Sequence, residues 1–233
     1  MREVVIRVPY ILHNKLNCVS KMLKDIAGNH GELYKERTRL GVCEKLVCFL
    51  DQSGECNKIT IYDPLYNSVA KSPSMPTKFH FTDYSHCLCV GKKLIVIGLQ
   101  YENEPMSAIM VFDFMSHTWR NGAEILVHEF GHQIACCASP EELVYIAGEN
   151  QEVAVYGVFE DRCEHLPEMQ EKIGWARGYY IDWMFDVVSV YVKQFYRTDR
   201  FNPVSQHWDV LHDFELLRCY SPLSFVADQS GQY

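Results

Sequence analysis

The sequence predicts a mainly β protein, a β-propeller behind a short α-helical head. Two observations carry the propeller: a self-similar spacing of 44 to 50 residues, and short apolar strands broken by turn residues from Cys43 onward. A third sets the head apart: in the first forty residues the apolar positions recur at helical rather than strand spacing. The expected boundaries are a helical segment over 1–42 and the β body over 43–233.

In the head, Leu12, Leu16, Val19, Leu23 and Ile26 recur at steps of four, three, four and three. Such steps put them on one face of a helix. Asn14, Lys15, Asn17, Lys21 and Lys24 fall mainly on the other face. Pro9 precedes this helix, where its fixed φ does no harm. Gly28 and Gly31 are placed to end it, and a second short helix is expected from Leu33 to Leu40, stopped by Gly41.

In the body, Leu46–Leu50, Ile59–Tyr62, Leu94–Ile97, Ile109–Phe112, Leu143–Ala147, Val153–Tyr156 and Met184–Val188 read as strands. Cys87 and Cys89 alternate along a further strand, and Cys136 and Cys137 sit in another. Tyr101-Glu-Asn-Glu-Pro105 reads as a solvated connecting loop.

The repeat emerges when the chain is aligned on Asp63, Asp113, Gly157 and Asn202, at spacings of 113 − 63 = 50, 157 − 113 = 44 and 202 − 157 = 45. The residue before each is aromatic: Tyr62, Phe112, Tyr156 and Phe201. Six positions on stand Val69, Trp119, Cys163 and Trp208, and twelve on stand Met75, Ile125, Met169 and Phe214. The physical unit is a strand ending in an aromatic, a tight turn, and a next strand opening on a large apolar residue. Asp63-Pro64 and Asn202-Pro203 start such turns well. A unit of this kind cannot cover both of its faces alone, so the repeats must stack. Trp119 and Trp208 are then expected to pack between neighbours.

Composition bounds the function. The 233 residues are 48% hydrophobic, ample for a buried core. A net charge of −8 repels phosphate backbones, so no nucleic acid partner is expected. Lys92–Lys93 is too small a patch to reverse that. The ten cysteines are scattered, with no Cys-x-x-Cys pair, and read as reduced residues used as small apolar filler. No apolar run approaches the roughly 20 residues of a membrane span. The start, Met1-Arg-Glu-Val-Val-Ile, lacks a signal-peptide core. A cytoplasmic or nuclear location is expected, without membrane contact.

The repeat columns resemble the kelch motif, in which a strand ends in paired glycines, followed by an aromatic-Asp turn and a tryptophan. Here the glycine pairs are eroded to Gly98–Leu99, Gly148–Glu149 and Ser189–Val190, and the tryptophan survives in two of the four repeats. The head, Arg7-Val-Pro-Tyr-Ile-Leu-His-Asn-Lys-Leu-Asn-Cys-Val-Ser-Lys, then Leu33-Tyr-Lys-Glu-Arg-Thr-Arg-Leu-Gly and Glu44-Lys-Leu-Val-Cys, resembles the F-box of plant F-box/kelch-repeat proteins. Ser139-Pro-Glu-Glu-Leu-Val-Tyr-Ile-Ala-Gly resembles that family's third blade. The resemblance implies a kelch-type propeller of about four recognisable blades, fewer than the five or six usual for the family. It also implies an F-box remnant that begins after the usual Leu-Pro segment and first helix, with the tryptophan usual after Val-Ser-Lys replaced near Met22–Leu23. The implied role is a substrate-recognition adaptor of a cullin–RING ubiquitin ligase, not an enzyme. Its partners would be a Skp-type adaptor and a client protein marked for proteasomal degradation. Members similar to this chain are associated with turnover of phenylalanine ammonia-lyase and of cytokinin response regulators, which connects them to phenylpropanoid regulation.

On that reading Pro9, Leu16, Val19 and Leu23 form the adaptor interface; alternatively they pack the head onto the body. Trp175, Arg177 and Tyr179 are the client-binding candidates, because arginine and aromatic residues favour interface hot spots. The alternative is that Trp175 and Tyr179 pack between blades. A second class of reading comes from His128-Glu129-Phe130-Gly131-His132. Two histidines one helical turn apart, with a glutamate between them, are the zinc-peptidase pattern. Glu149 or Glu152 is a conceivable third ligand. That chemistry needs a helix, whereas the repeat puts a loop there, leading toward Ser139-Pro140 and extended structure. No metal or other cofactor is therefore expected. The remaining alternative is a stand-alone protein-binding module with no ligase link.

Overall fold

The structure is a computed structural model describing residues 8, 12–16, 18–28, 30–41, 45–51, 58–76, 79–80, 85–101, 104–123, 133–191 and 195–211. It is mainly β: four antiparallel sheets follow a few short helices. The chain divides into two compact units, one of Met1–Phe81 with Lys92–Leu94 and Val111–Arg120, the other of Thr82–Gly91, Ile95–Met110 and Asn121–Tyr233.

The head is broken where one helix was expected. α1 covers His13–Leu16 and α2 covers Lys21–Gly28, with a turn at Cys18 and Val19 between them. Ser20 makes the break: its hydroxyl accepts a hydrogen bond from the Leu23 amide at 3.2 Å, as an N-cap does. Leu16, Leu23 and Ile26 still pack together, on the buried Leu33 of α3 (His30–Arg39). Val19 does not follow them, because the turn swings it into solvent, where it is 68% exposed. Gly31 lies inside α3 rather than ending a helix, and Gly41, at φ 67°, follows α3. His13 and Arg37, both buried, converge on the Val8 carbonyl at 2.8 and 2.5 Å.

Sheet I is β1 (Val47–Asp51), β2 (Lys58–Asp63) and β3 (Ser68–Lys71). Sheet II holds β4 (Phe79–His80), β5 (His86–Val90), β6 (Lys93–Tyr101), β7 (Glu104–Asp113) and β8 (Thr118–Asn121), with β4 and β5 both pairing with β6. Sheet III is the meander β9 (Ile134–Ala138), β10 (Leu143–Gly148), β11 (Val153–Gly157) and β12 (Arg162–Leu166). Sheet IV is the meander β13 (Ala176–Ile181), β14 (Met184–Tyr191), β15 (Phe195–Asn202) and β16 (His207–Leu211). The segment expected as a polar loop is mostly strand: Tyr101 closes β6, and Glu104 and Pro105 open β7.

Central strands carry the core. Leu94–Ile97, Ile109–Phe112 and Val144–Ala147 are buried at every position, as unbroken apolar runs allow when both faces are covered. β2 instead alternates, burying Ile59, Ile61 and Asp63 on one side. A cluster of Tyr145, Ala147, Val153, Met169, Phe185, Val187, Phe201 and Trp208 joins sheets III and IV.

The aligned columns form one hairpin, repeated. Asp63, Asp113, Gly157 and Asn202 each close a strand, four turn residues follow, and the fourth (Asn67, His117, Asp161 or Gln206) has φ of 44°, 57°, 54° or 52°. In three repeats the side chain of the first residue holds the turn. Asp63 Oδ1 accepts from the amides of Leu65 and Tyr66, Asp113 Oδ1 from Met115 and Ser116, and Asn202 Oδ1 from Val204 and Ser205. These are the short side-chain turns that Asp and Asn favour. Gly157 has no side chain to do this.

The tryptophan column then faces the preceding aromatic. Phe201 and Trp208 are cross-strand partners with ring centroids 5.1 Å apart, and Phe112 and Trp119 are likewise 5.1 Å apart. Each indole reaches back to the segment that leaves the previous sheet. Trp119 Nε1 donates to the Pro73 carbonyl at 2.8 Å, and Trp208 Nε1 to the Pro167 carbonyl at 2.8 Å. Met75 and Met169, two residues after those prolines, are buried. Ile125 and Phe214 of the same column lie outside the described residues.

Candidate interaction surface

One strand from each of sheets II, III and IV lies side by side with the next, β5 beside β9 and β9 beside β13. β13 approaches so closely at Gly178 that an added Cβ would stand 2.7 to 2.9 Å from the Cys136 backbone. Any larger residue there would force the two strands apart.

This strand row gathers His86, Cys87, Cys136, Cys137 and Arg177. Burial pushes the His86 pKa down to about 4, the Arg177 charge adds to that, and a hydrogen bond with the Ile134 backbone partly offsets it. His86 is therefore neutral near pH 7. Burial raises the Cys136 thiol to about 12 and also pushes Cys87 and Cys137 far up. Protonated thiols are poor nucleophiles and poor metal ligands, so these residues act as packing groups. Cys18 and Cys89 depart from the apolar-filler expectation, because both are exposed.

The client-binding candidates divide. Trp175 stands in the segment before β13 and is 68% exposed. Arg177 and Tyr179 lie on β13 itself, two residues apart on one face, and both are half-buried. Burial raises the Tyr179 phenol, and the Arg177 charge opposes that rise. The three thus run from an open loop onto a partly covered strand.

The adaptor candidates divide as well. Leu16 and Leu23 are half-buried against Leu33, Val19 is open, and Pro9 lies outside the described residues. His128, Glu129 and His132 also lie outside them. Among the described residues no group of three or more His, Cys, Asp or Glu side chains is disposed to hold a metal ion. Glu149 accepts from the Ile173 amide through its backbone carbonyl, and the Glu152 carbonyl accepts from Gly148.

Sequence reasoning missed a further set of exposed side chains on the repeat turns. Phe159 and Val204 occupy the second position of the turns after Gly157 and Asn202, where they are 81% and 93% exposed, and Leu65 takes the same position in the first repeat. Trp183 stands in the turn between β13 and β14, 67% exposed. The signal was present, since an apolar residue two after the turn opener recurs in all four repeats as Leu65, Met115, Phe159 and Val204.

Comparison with protein-family models and with the curated proteins finds no match to this chain. Among the described residues, no helix is long and apolar enough to cross a membrane.

Proposed function

We propose that this chain is a kelch-type β-propeller protein acting as a substrate-recognition adaptor of a cullin–RING ubiquitin ligase. In this reading the head contacts a Skp-type adaptor and the sheets, as blades, present a client protein for ubiquitylation. The observation that carries the reading is the fourfold sheet-and-hairpin repeat. Each aromatic-turn-apolar unit falls at the same place in its sheet, and both tryptophans make the same bond to the preceding sheet's exit segment. Repeated sheets that are stitched this way support a non-enzymatic scaffold with loops free to bind.

For the head, the exposure of Val19 supports its use against a partner, while Leu16 and Leu23 hold the helices together through Leu33. For the client side, Trp175 supplies the open aromatic anchor, and Arg177 and Tyr179 supply the strand beside it. Phenylalanine ammonia-lyase and cytokinin response regulators are the clients that the family resemblance suggests.

The test is co-purification of the full chain with a Skp-type adaptor protein. Retention that drops at least about tenfold in Val19→Asp supports the ligase link. No retention, under conditions that capture an intact F-box, overturns that link and leaves a stand-alone binding module. Stoichiometric zinc in the purified chain, lost in His128→Ala, would instead move the reading to a metallopeptidase.

A further inference from the structure

Sheets III and IV share a turn-bearing end. In sheet III the β9–β10 turn (139–142) and the β11–β12 turn (158–161) meet there, joined by the Val158 amide donating to the Glu142 carbonyl at 3.2 Å. In sheet IV the β13–β14 turn (182–183) and the β15–β16 turn (203–206) lie at one end, because Phe185 pairs with Phe201 just inside both. Tyr145, just inside the β9–β10 turn, stacks on Tyr180 and Phe185, just inside the β13–β14 turn, with ring centroids 5.6 and 5.3 Å apart, which brings the two ends together.

The composition of these four turns is one-sided. They contain Glu141, Glu142, Glu160, Asp161 and Asp182, and no lysine or arginine. Asp161, though exposed, is engaged within the chain: its Oδ1 accepts from Tyr156 Oη at 2.6 Å and from the Ala123 amide at 3.2 Å. Glu142, Glu160 and Asp182 are exposed. Three of the same turns also expose an apolar side chain: Phe159, Trp183 and Val204.

Trp183 is placed there against local preference. The two-residue turn between Ile181 and Met184 has φ of 50° at Asp182 and 66° at Trp183, the left-handed geometry that usually selects Asn-Gly. A bulky side chain is disfavoured at such a φ. The indole is nevertheless held out in solvent rather than packed on the chain's own core. Strain that the chain's own packing does not explain points to an external contact.

We propose that this end of sheets III and IV docks a cationic amphipathic segment of a partner protein. Trp183, Phe159 and Val204 take the apolar side chains, and Glu142, Glu160 and Asp182 take the lysines or arginines that flank them. Complementary charge selects this occupant, since an acidic face repels an anionic membrane, a nucleic acid or a like face of a second copy. Aromatic residues ringed by charge are the usual anchors of such contacts. The surface shares no residue with the head or with Trp175, Arg177 and Tyr179, so it stands or falls independently of the adaptor reading.

The probe is a fluorescein-labelled synthetic peptide of lysine and leucine at helical spacing, titrated with the full chain and read by fluorescence anisotropy. A peptide with glutamate for lysine and one with serine for leucine serve as controls. The expected result is binding of the lysine–leucine peptide alone, weakened by added salt. Trp183→Gly should weaken it at least about tenfold, and because glycine suits that φ, the thermal midpoint should hold or rise. Reversing charge with Glu142→Lys, Glu160→Lys and Asp182→Lys together should transfer preference to the glutamate–leucine peptide, which keeps the test decisive if Trp183→Gly fails to fold. The proposal is overturned if the native chain does not bind the lysine–leucine peptide at low ionic strength, or if charge reversal leaves that binding unchanged. Sedimentation showing self-association through Trp183 in place of peptide binding would make a second copy the occupant, and would equally overturn it.

Discussion

The seams between consecutive sheets are stitched in two different ways. At the first and third seams, an indole donates to a proline carbonyl ten residues after the turn opener of the preceding repeat: Trp119 to Pro73, and Trp208 to Pro167. At the middle seam the indole is absent, because Cys163 occupies its column, and the proline is absent too, because Ala123 occupies its own. Here the direction of the bond reverses. Asp161 of sheet III accepts from the Ala123 amide of the segment leaving sheet II, while Tyr156 anchors the carboxylate from within sheet III. Gly122 lets the segment close in, since an added Cβ would lie 2.8 Å from Ile109 and 3.0 Å from the Tyr156 hydroxyl. The lesson is that the two columns change together. Alanine, unlike proline, carries a backbone N–H, and at the seam without an indole it is this amide that donates to Asp161.

The comparison breaks most readily at the third seam. Trp208 is buried in the cluster joining sheets III and IV, so Trp208→Ala should cost about 4 kcal/mol, read as a lower urea midpoint. Trp119 is only half-buried, and Trp119→Ala should cost about half as much. Equal losses would show that the indole bond rather than burial dominates. The third seam has a further ion-paired element: the partly buried Arg197 pairs with the buried Asp199 at 2.6 Å and with the exposed Glu171 of the intervening segment at 2.7 Å. Burial raises the Asp199 pKa, and Arg197 opposes that rise.

The middle seam should be the acid-sensitive one, through His86 on β5 beside β9. Its folded pKa, about 4, lies below the ordinary 6.5. Between these values the unfolded chain binds a proton and the folded chain does not, so acid favours unfolding. The stability His86 contributes is present above about pH 6.5 and falls progressively to pH 4, by roughly 3 kcal/mol in all. His86→Gln should flatten that decline in chemical denaturation measured from pH 7 to pH 4. An unchanged slope would place the acid sensitivity elsewhere.

An effect about as large as that of Trp119→Ala is expected at Asp161. Asp161→Ala removes both the amide bond and the tyrosine bond and strains a residue at φ 54°, for a cost of about 2 kcal/mol. Asp161→Asn, which keeps an acceptor and tolerates that φ, should recover most of it. If Asn recovers nothing, the charge rather than the hydrogen bond closes the seam.

Much of the body could be read in advance because strand formation there is local. Six of the seven expected apolar strand segments lie wholly within strands and the first misses β1 only at Leu46, since continuous runs such as Leu94–Ile97 and Leu143–Ala147 need only two covered faces to be buried. The outer strands escaped notice. β12 and β16 carry Arg162, Glu164, His165, His207 and Asp209 on exposed positions, and their few apolar residues make no visible run. The head failed for a different reason: apolar periodicity passes straight through Ser20, whose capping hydrogen bond ends one helix and starts another.

The sequence by itself determined the repeat, its period and the hairpin at its centre, because an aromatic, a turn-forming Asp or Asn and a large apolar residue act within a dozen positions of one another. Only the tertiary structure decided what the columns are for. The bonds from Trp119 and Trp208 span 46 and 41 residues, and the Asp161–Ala123 bond spans 38. No local preference foretells a donor at that range, or that Trp183 would be left in solvent beside Asp182. Those placements follow from how sheets pack, where one sheet's exit segment must satisfy its polar groups against the next.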